Sequence, residues 1–366
     1  MGSASSYQSQ DMPEQVCYTE AVMKVGLVYD PIYLKHDTGQ HVENAKRLEA
    51  IISHLEQSGL KQQLTLIKPR PATVEELALV HHEQYISHIQ NVAQKGGGWL
   101  DADTIMSPGS YEVALYAAGG VIRATEAVMN REVASAFALV RPPGHHATAT
   151  QAMGFCLFNN VAVATKYNLA KYGLEHILII DFDVHHGNGT QEIFYDNPQV
   201  LYISTHQYPL YPGTGSIEET GSEAARGTTV NIPLPAGCGD AEYEQVFEQI
   251  IVPAAKRFKP QLILVSAGYD LHWADELALM QVSVTGFAQM VKIIKGLADE
   301  LCDGRLVFSL EGGYNLTALA TSVKATIDVL LGNTGIEDRL GQSPHGFGAP
   351  NIASQTKSIK EIHDLP

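Results

Sequence analysis

Cysteine and basic residues are both scarce in this sequence of 366 residues. The four cysteines lie far apart and form no Cys-x-x-Cys pair, so neither a disulfide framework nor a cysteine-ligated metal site is predicted. A reduced, cytoplasmic setting suits such a chain. Lys and Arg number 24 against 40 Asp and Glu, which gives a formal net charge of -16. This acidic balance argues against nucleic-acid binding, which requires a basic face, and it suits a cationic substrate.

Long apolar runs are also missing from the sequence. No run approaches the ~18 residues needed to span a bilayer, so no membrane segment is predicted. The first residues lack a basic stretch followed by an apolar core, so no secretory signal is predicted, and residues 1–20 are expected to be disordered or tag-derived. Hydrophobic residues make up 45% of the chain, which excludes a wholly disordered protein.

Short apolar runs alternate with helical patterns along the chain. The predicted strands are Val25–Tyr29, Leu64–Ile67, Ala136–Val140, Ile177–Asp181, Val200–Ser204, Thr229–Pro233, Leu262–Ser266 and Leu306–Leu310. The predicted helices include Ser110–Val128, Val161–Tyr172, Tyr243–Phe258 and Thr285–Leu301. Runs that are apolar throughout are typical of strands buried on both faces of a parallel sheet. The sequence therefore predicts a single-domain α/β fold with a mostly parallel central sheet of about eight strands and helices on both faces.

Domain organisation follows from the lack of internal repeats and low-complexity linkers. Residues 21–340 are predicted to form one domain, and residues 341–366 a peripheral C-terminal tail. His81 and His82 are expected on a surface helix without a chemical role. Three segments rich in Gly and Pro are predicted to be surface loops, and such long loops often carry function. They are Pro142–Gly154, Pro209–Gly221 and Pro235–Gly239.

Polar side chains gather where four of the predicted strands end. In an open parallel sheet, ligands bind outside the carboxyl ends of the strands. We therefore expect these four segments to converge at one edge of the sheet. The segments are Arg141-Pro-Pro-Gly-His-His146, Asp181-Phe-Asp-Val-His-His-Gly-Asn-Gly189, Ala267-Gly-Tyr-Asp270 and Glu311-Gly-Gly-Tyr314.

The second of these segments predicts a metal site. Asp181, Asp183 and His185 are two residues apart, so on an extended chain they share one face. Carboxylates that close together favour a bound cation. A divalent ion held by Asp183, His185 and Asp270 would keep an open position for water, which is the arrangement of a catalytic zinc site. These ligand types are also compatible with iron, manganese or cobalt.

Groups for proton transfer lie near this predicted metal site. His145 and His146 follow a rigid Pro-Pro-Gly turn, and such a pair can take a proton from a metal-bound water and return one to a leaving amine. Asp181 is expected to hold one imidazole and Asn188 the other. Tyr314 follows two glycines, and its hydroxyl is expected to donate to an oxyanion that develops opposite the metal.

Taken together, these segments resemble the zinc-dependent histone deacetylase family, which has the arginase–deacetylase fold. The resemblance covers the core from about Val25 to about Leu331, and the Pro-Pro-Gly before the two histidines resembles class II and bacterial-type members. Two further segments occur in the family's order, and five such motifs in register are highly specific. They are Gly154-Phe-Cys-Leu-Phe-Asn-Asn160 and Tyr211-Pro-Gly-Thr-Gly215.

The resemblance implies a role for each of several residues. It implies one zinc ion on Asp183, His185 and Asp270, catalysis by the His145/His146 pair and Tyr314, and residues 21–340 as a deacetylase catalytic domain. It implies a potassium ion held by Asp181, Ser204 and the backbone of His185. Residues implied to contact substrate or product are Gly154, Phe155 and Tyr211 in a tunnel, Arg47 at an inner cavity, Asp103 at the rim and Leu277 at the gate, where polyamine-selective relatives carry glutamate.

Four functions compete for this constellation. The first is an amidohydrolase that removes acetyl groups from lysine side chains of peptides or proteins, and the second an amidohydrolase that acts on acetylpolyamines or other small acetylated amines. A two-metal, arginase-like hydrolase needs a carboxylate where the chain has Gly187. A non-catalytic acetyl-lysine reader would be expected to lack one of the catalytic groups, and all are present. No nucleic-acid or membrane partner is expected, and a homo-oligomer is compatible with the sequence.

Overall fold

The strands of the computed structural model are short, and most are buried along their whole length. The structure describes residues 24–344 and 348–366, so the expectation for residues 1–20 lies outside the described residues. The strands are β1 (Val25–Val28), β2 (Thr65–Ile67), β3 (Gly98–Trp99), β4 (Ile105–Met106), β5 (Ser135–Ala138), β6 (Ile177–Asp181), β7 (Val200–Gln207), β8 (Thr229–Leu234), β9 (Leu262–Ala267) and β10 (Leu306–Leu310).

Eight of these strands form one central sheet in the order β2-β1-β5-β10-β9-β6-β7-β8. All of its strand pairs are parallel, which confirms the predicted sheet. β3 and β4 form a separate antiparallel pair. The strand that begins at Val200 extends to Gln207 rather than to Ser204, because its last residues pair with β8 up to Leu234.

The middle of the sheet is buried on both faces. Every residue of β5, β6, β7, β8, β9 and β10 is buried. Successive side chains of a strand point to opposite faces, so uninterrupted burial requires a layer of structure on each side of the sheet. This pattern is the reason why the strands could be recognised as apolar runs rather than as alternating ones.

Helices connect and cover the strands. They are α1 (Lys46–Gln57), α2 (Val74–Leu77), α3 (Glu83–Gln94), α4 (Ser110–Met129), α5 (Asn160–Tyr172), α6 (Asn188–Phe194), α7 (Asp240–Val246), α8 (Val252–Phe258), α9 (Val284–Leu301), α10 (Leu316–Leu330) and α11 (Ala353–Ile362). The side chains of Asn159, Ser283 and Asn315 cap α5, α9 and α10 by accepting a backbone N–H. In one group α1 packs on α10 and α10 on α9, while α4 packs on α5 and on β1, β5 and β10.

The helix predicted at Tyr243–Phe258 is not continuous. A π-helical turn, Phe247–Ile251, separates α7 from α8. Pro253 lies at the start of α8. Proline has no N–H and its ring collides with the carbonyl group four residues earlier, so the backbone widens there instead of continuing as a regular helix.

The C-terminal residues pack on the edge of the sheet. α11 contacts β8, which is the last strand of the sheet order. Ile352 and Ile359 are buried, and Arg257 at the end of α8 donates a hydrogen bond to the carbonyl oxygen of His363. Within the ranges that the structure describes, no helix is long and apolar enough to cross a membrane.

Candidate active site

The four segments that carry the predicted catalytic and metal-binding residues follow neighbouring strands. β5, β10, β9 and β6 are consecutive in the sheet. The segment after β5 contains Arg141, the one after β10 begins at Glu311, the one after β9 begins at Gly268, and the fourth begins at Asp181, the last residue of β6. Because the strands are parallel, all four segments leave the sheet at the same edge. The sheet thus brings together residues that are up to about 170 positions apart in the sequence.

Asp183, His185 and Asp270 form one compact group, here called the metal-ligand cluster. One potential ligand atom of each residue lies within 4.8 Å of the others. Nδ1 of His185 is 3.1 Å from Oδ1 of Asp183 and 3.4 Å from Oδ2 of Asp270. Backbone N–H groups hold the carboxylates in place: Val184 donates to Asp270 and Gly312 donates to Asp183, at 3.1 and 2.8 Å.

Two glycines leave the space that the cluster occupies. A Cβ atom on Gly268 would lie 2.1 Å from Oδ2 of Asp183, and one on Gly312 would lie 2.1 Å from Oδ2 of Asp270. Any side chain at either position would therefore push a carboxylate out of the cluster. The predicted Gly-Tyr-Asp and Gly-Gly-Tyr segments have their glycines where the two ligand loops approach most closely.

The metal-ligand cluster has an excess of negative charge that the protein does not neutralise. Burial raises the pKa of Asp270 to about 6, and Oδ2 of Asp270 is buried without a hydrogen-bond partner among the described residues. Burial alone would lower the pKa of His185, but Asp183 and Asp270 outweigh it and raise this pKa to about 10. Two buried carboxylates around one imidazole, with one oxygen that accepts no hydrogen bond from the described residues, fit a divalent cation.

His145 and His146 lie side by side next to the metal-ligand cluster, with ring centroids 4.0 Å apart. Nδ1–H of His145 donates to Oδ2 of Asp181 at 3.1 Å, and Nδ1–H of His146 donates to Oδ1 of Asn188 at 2.8 Å. Each imidazole is thus oriented by a different kind of partner, a carboxylate for His145 and an amide for His146.

The pKa values of the two histidines are shifted in opposite directions. Burial disfavours the charged form of both rings. For His145 the carboxylates of Asp181 and Asp183 outweigh burial and raise the pKa to about 10. For His146 burial acts together with the neighbouring His145 and His185, and the pKa falls well below its usual value. The two adjacent rings therefore differ in their affinity for a proton, an arrangement that suits acid–base chemistry.

Tyr314 lies across the site on the loop after β10. Asp275 fixes this loop, because its Oδ2 accepts the backbone N–H groups of Tyr314 and Asn315 at 2.6 and 2.9 Å. The guanidinium group of Arg47 lies 5.0 Å from the centroid of the Tyr314 ring, and its Nε donates to the carbonyl oxygen of Gly313 at 2.7 Å. The tyrosine is therefore held through both its backbone and its ring.

Behind this loop lies a second buried charged group, here called the arginine cluster. It consists of Glu43, Arg47 and Arg141, all fully buried. Arg141 donates to both oxygens of Glu43 at 2.5 and 2.8 Å, and Arg47 donates to Oε1 of Glu43 at 3.1 Å. Arg47 also donates to the carbonyl oxygen of Glu311 at 2.5 Å. The cluster connects the segments that carry the two histidines and Tyr314.

Sequence reasoning missed Glu43, Glu311 and Asp275 as positioning residues. Oε2 of Glu311 accepts the backbone N–H groups of Gly144 and His145 at 2.7 and 3.2 Å, and burial raises the pKa of Glu311 to about 7. Glu311 directly follows an apolar strand, which is the signal that identified Asp181. Glu43 lies four residues before Arg47, a spacing that favours an ion pair.

The expectation that Pro142–Gly154 is a surface loop is wrong for its first half. Residues 142–148 are buried. The backbone there is satisfied from inside the protein, because Glu311 accepts Gly144 and His145 and the side chain of Asn159 donates to the carbonyl oxygen of Ala147. Buried irregular backbone is tolerated where such internal partners exist.

The remaining predicted substrate residues surround the approach to the site. Gly154 has a φ of +55°, and a Cβ there would lie 2.3 Å from Cδ2 of His146, so only glycine allows this contact. The Phe155 ring packs edge-on against Tyr314 at 5.8 Å, and the Tyr211 ring packs against His146 at 5.1 Å. Asp103 is half-buried in the loop between β3 and β4, where burial raises its pKa.

Leu277 and the two acidic residues before it, Asp275 and Glu276, have different surroundings. Leu277, Glu276, Val42 and Tyr314 line a cavity of about 270 Å³ at the rim. Asp275 is buried and holds the Tyr314 loop, so it is not available at the rim. Glu276 is exposed beside Leu277.

The residues predicted for a potassium site are neighbours in the sheet. Ser204 on β7 is directly opposite Asp181 on β6. Oδ2 of Asp181 is 3.1 Å from the hydroxyl oxygen of Tyr202, and the hydroxyl of Ser204 is 3.0 Å from Nδ1 of His206. Gly187 lies in the same region, where a Cβ would be 2.2 Å from Oδ2 of Asp181. The carboxylate that a two-metal hydrolase needs has no room at this position.

Comparisons with known proteins agree with this geometry. The sequence model of the histone deacetylase domain family matches residues 41–330 of this chain. A probable deacetylase of Archaeoglobus fulgidus is 46% identical over 80% of this chain and 82% of its own length. A histone deacetylase-like amidohydrolase of Pseudomonas aeruginosa is 41% identical over 80% of this chain and 77% of its own length.

A solved structure extends the comparison to three dimensions. The crystal structure of the HDA15 HD domain superposes with a TM-score of 0.84 and 35% sequence identity, covering 94% of this chain and 95% of that chain. The α/β fold is therefore that of the arginase–deacetylase type, and the resemblance found in the motifs is confirmed. This chain belongs to the histone deacetylase family and is a hydrolytic enzyme of that family.

Proposed function

We propose that the protein is a zinc-dependent amidohydrolase that removes acetyl groups from lysine side chains of peptides or proteins. The observation that carries the proposal is that His145 and His146 lie side by side next to the metal-ligand cluster, each oriented through its Nδ1 by a different partner. A non-catalytic reader would have no use for two adjacent imidazoles that are both oriented beside a metal site.

Asp183, His185 and Asp270 would hold a single zinc ion. When bound, zinc polarises the amide carbonyl and lowers the pKa of a coordinated water. The glycine cradle and the unpartnered oxygen of Asp270 support this assignment. A potassium ion held by Asp181, Ser204 and the backbone of His185 is part of the same proposal.

His146 is the general base in this proposal. Its Nδ1–H is committed to Asn188, so its Nε2 is left free to accept a proton. The amide of Asn188 is itself oriented, because its Nδ2 donates to Sδ of Met153 at 3.3 Å. After accepting a proton from water, His146 can return it to the leaving amine. A protonated His145 would favour the negative charge that develops in the transition state.

Tyr314 is the electrophilic partner. Arg47 and Asp275 position its ring and backbone, so its hydroxyl needs little reorganisation when the amide oxygen becomes negative. Burial raises the pKa of Tyr314 well above its usual value, which keeps the hydroxyl protonated and able to donate.

The substrate is proposed to be acetyl-lysine because of the apolar approach. A lysine side chain carries four methylenes between amide and backbone, and burying them between Phe155 and Tyr211 contributes about 0.8 kcal/mol each, roughly 3 kcal/mol in all. A polyamine would bring an ammonium group into the same tunnel, which is unfavourable without a carboxylate partner. Leu277 supplies none.

Acetylpolyamines are the second candidate, because Glu276 lies in the rim cavity next to Leu277. The test compares kcat/KM for an acetyl-lysine peptide with kcat/KM for N8-acetylspermidine, using protein of measured metal content. We expect the parent to prefer the peptide and Leu277→Glu to shift the preference towards the polyamine. The matched control is Leu279→Glu, which adds a carboxylate at an exposed residue outside the lining of that cavity.

Two results would contradict the assignment to acetyl-lysine. One is a parent enzyme that hydrolyses the polyamine roughly tenfold better than the peptide, which corresponds to about 1.4 kcal/mol of preference. The other is an equal response of the Leu277→Glu and Leu279→Glu variants, which would mean that any rim charge changes specificity and that the gate position is not special.

A further inference from the structure

A cavity of about 580 Å³ lies at the edge of the sheet opposite to the active site. His176 and Thr228, which line it, directly precede β6 and β8, so the cavity is at the amino ends of these strands. Parallel strands place their amino ends on the side away from Asp181 and Asp270. The residues on which the argument rests are His176, Arg226, Arg257, Phe258, His363 and Asp364.

The charge of this cavity differs in sign from that of the chain. The protein as a whole has a formal net charge of -16. The cavity is nevertheless lined by two arginines and a single acid, Asp364. Across residues 24–344 and 348–366, neither Arg226 nor Arg257 forms an ion pair, and Arg257 donates only to the carbonyl oxygen of His363. Two guanidinium groups are thus available to an anion.

His363 forms an uncharged part of the cavity wall. It is 3% exposed, and both of its ring nitrogens are buried without a hydrogen-bond partner in the described part of the chain. Burial and the nearby Arg257 lower its pKa to about 4, so near neutral pH the ring is uncharged and has one donor and one acceptor. The ring nitrogens have no surface that reaches the cavity, so His363 offers a ligand neither a hydrogen bond nor a positive charge, and recognition of an anion depends on Arg226 and Arg257.

The wall also has an aromatic and apolar part. The ring of His176 packs against that of Phe258, with centroids 4.8 Å apart. Leu201, Ala254 and Ile362 line the same cavity. Its volume is in the range of sites for small organic ligands and is larger than a bare inorganic anion needs.

We propose that this cavity binds a phosphate monoester. The phosphate would be bound by Arg226 and Arg257, and the organic part would lie against the wall formed by His176 and Phe258. A phosphate monoester carries close to two negative charges near pH 7 and matches two guanidinium groups, whereas a carboxylate carries one charge.

The experiment is isothermal titration calorimetry of the metal-loaded, full-length protein with adenosine monophosphate, and separately with inorganic phosphate. We expect saturable binding of the nucleotide and weaker binding of inorganic phosphate, which lacks the organic part. Arg226→Ala should weaken nucleotide binding roughly tenfold or more, because it removes a charge-assisted contact. Arg339→Ala is the control: it removes the same charge from an exposed arginine that pairs with Glu337.

Arg226→Lys separates loss of the site from loss of folding. It keeps the charge but not the planar fork, so we expect an intermediate affinity, with thermal unfolding unchanged from the parent. The proposal is overturned if neither compound binds saturably to the parent, or if Arg226→Ala binds the nucleotide as the parent does. Equal affinity for both compounds would overturn the monoester in favour of free phosphate.

Discussion

Two buried charged groups contact the loop after β10, and their carboxylates are partnered in opposite ways. In the arginine cluster one carboxylate, Glu43, lies between the guanidinium groups of Arg47 and Arg141. In the metal-ligand cluster two carboxylates, Asp183 and Asp270, surround one imidazole, and an oxygen of Asp270 has no hydrogen-bond partner among the described residues. Both groups are buried, so burial alone does not show that the arginine cluster contributes to stability and the metal-ligand cluster to catalysis.

The difference lies in whether the carboxylate oxygens have hydrogen-bond partners within the chain. Both oxygens of Glu43 accept hydrogen bonds from arginine side chains, and removing one member leaves the others uncompensated. A buried carboxylate pair without a cation requires one from outside the chain. The comparison indicates that buried acidic groups should be judged by their partners before they are assigned to chemistry or to stability.

The largest effect is expected at the metal-ligand cluster. Asp183→Ala and Asp270→Ala should each lose the bound divalent ion and the deacetylase activity, because a three-ligand site that loses a carboxylate binds the ion far more weakly. Elemental analysis of purified variants measures the ion directly. Undiminished metal in both variants would reject these ligands, and Glu43→Gln, which removes a buried carboxylate from the other cluster, should retain the ion in the folded protein.

The second largest effect is expected on stability, at the arginine cluster. Glu43→Gln leaves two buried guanidinium groups without their partner, which costs about 3–5 kcal/mol of unfolding free energy. Denaturant unfolding of metal-loaded parent and variant measures it. A loss below about 1 kcal/mol, the value of an exposed pair, would show that the cluster is not what holds these loops.

The pH dependence of unfolding in the parent and in Glu43→Gln tests the same ion pairs. Burial opposes the ionisation of Glu43, but Arg141 and Arg47 outweigh it and hold the pKa of Glu43 well below its usual range. A group whose pKa is depressed on folding contributes stability above its unfolded pKa, about 4.3 for glutamate, and loses it as the pH falls. The stability difference between parent and Glu43→Gln should therefore be constant from about pH 8 to about pH 5 and narrow only below the unfolded pKa.

A smaller effect is expected at Tyr314, which lies between the two clusters. Tyr314→Phe should fold normally and lose roughly 2.7–4 kcal/mol of transition-state stabilisation, the usual contribution of one oxyanion donor. The loss should appear in kcat, with little change in substrate binding. If kcat stays within about threefold of the parent, which is under 1 kcal/mol, Tyr314 is not the electrophile.

The smallest effect is expected at Asp275, which positions Tyr314 through two backbone N–H groups. Asp275→Asn exchanges a charged acceptor for a neutral one and should reduce kcat by roughly fivefold to tenfold, with KM largely unchanged. Glu276→Gln is the matched control, because it makes the same change at the adjacent, exposed residue. An equal fall in kcat for both variants would remove Asp275 from its positioning role.

Much of the fold was predictable because the strands are buried on both faces. Among the described residues, seven strands are buried along their whole length, and mostly apolar runs between helical patterns indicate a parallel sheet. The group at the strand ends was predictable for the same reason, since Asp181 and Glu311 interrupt apolar sequence abruptly. The ends of strands depend on pairing with neighbouring strands, and the interruption before α8 depends on Pro253. The hydrophobic pattern of the sequence carries neither kind of information.

Burial of irregular segments was not predictable. His81 was expected on a surface helix, but it is buried, with Nδ1 2.9 Å from the carbonyl oxygen of Thr148 and Nε2 accepting the N–H of Asn159. Its partners are 67 and 78 residues away in the sequence. Polar residues that are satisfied by such distant partners look like surface residues until the tertiary structure is known, and this applies to Glu43 as well.

The position of β10 has a consequence for the way the chain assembles during synthesis. β10 is the last strand in the described part of the chain, yet it lies in the sheet between β5 and β9. A nascent chain emerging from the ribosome therefore has β5 and β9 with open hydrogen-bonding edges until residues 306–310 are made. Catalytic competence and protection of these edges are acquired in the same step, so a chain truncated before β10 should aggregate rather than accumulate as an inactive folded domain.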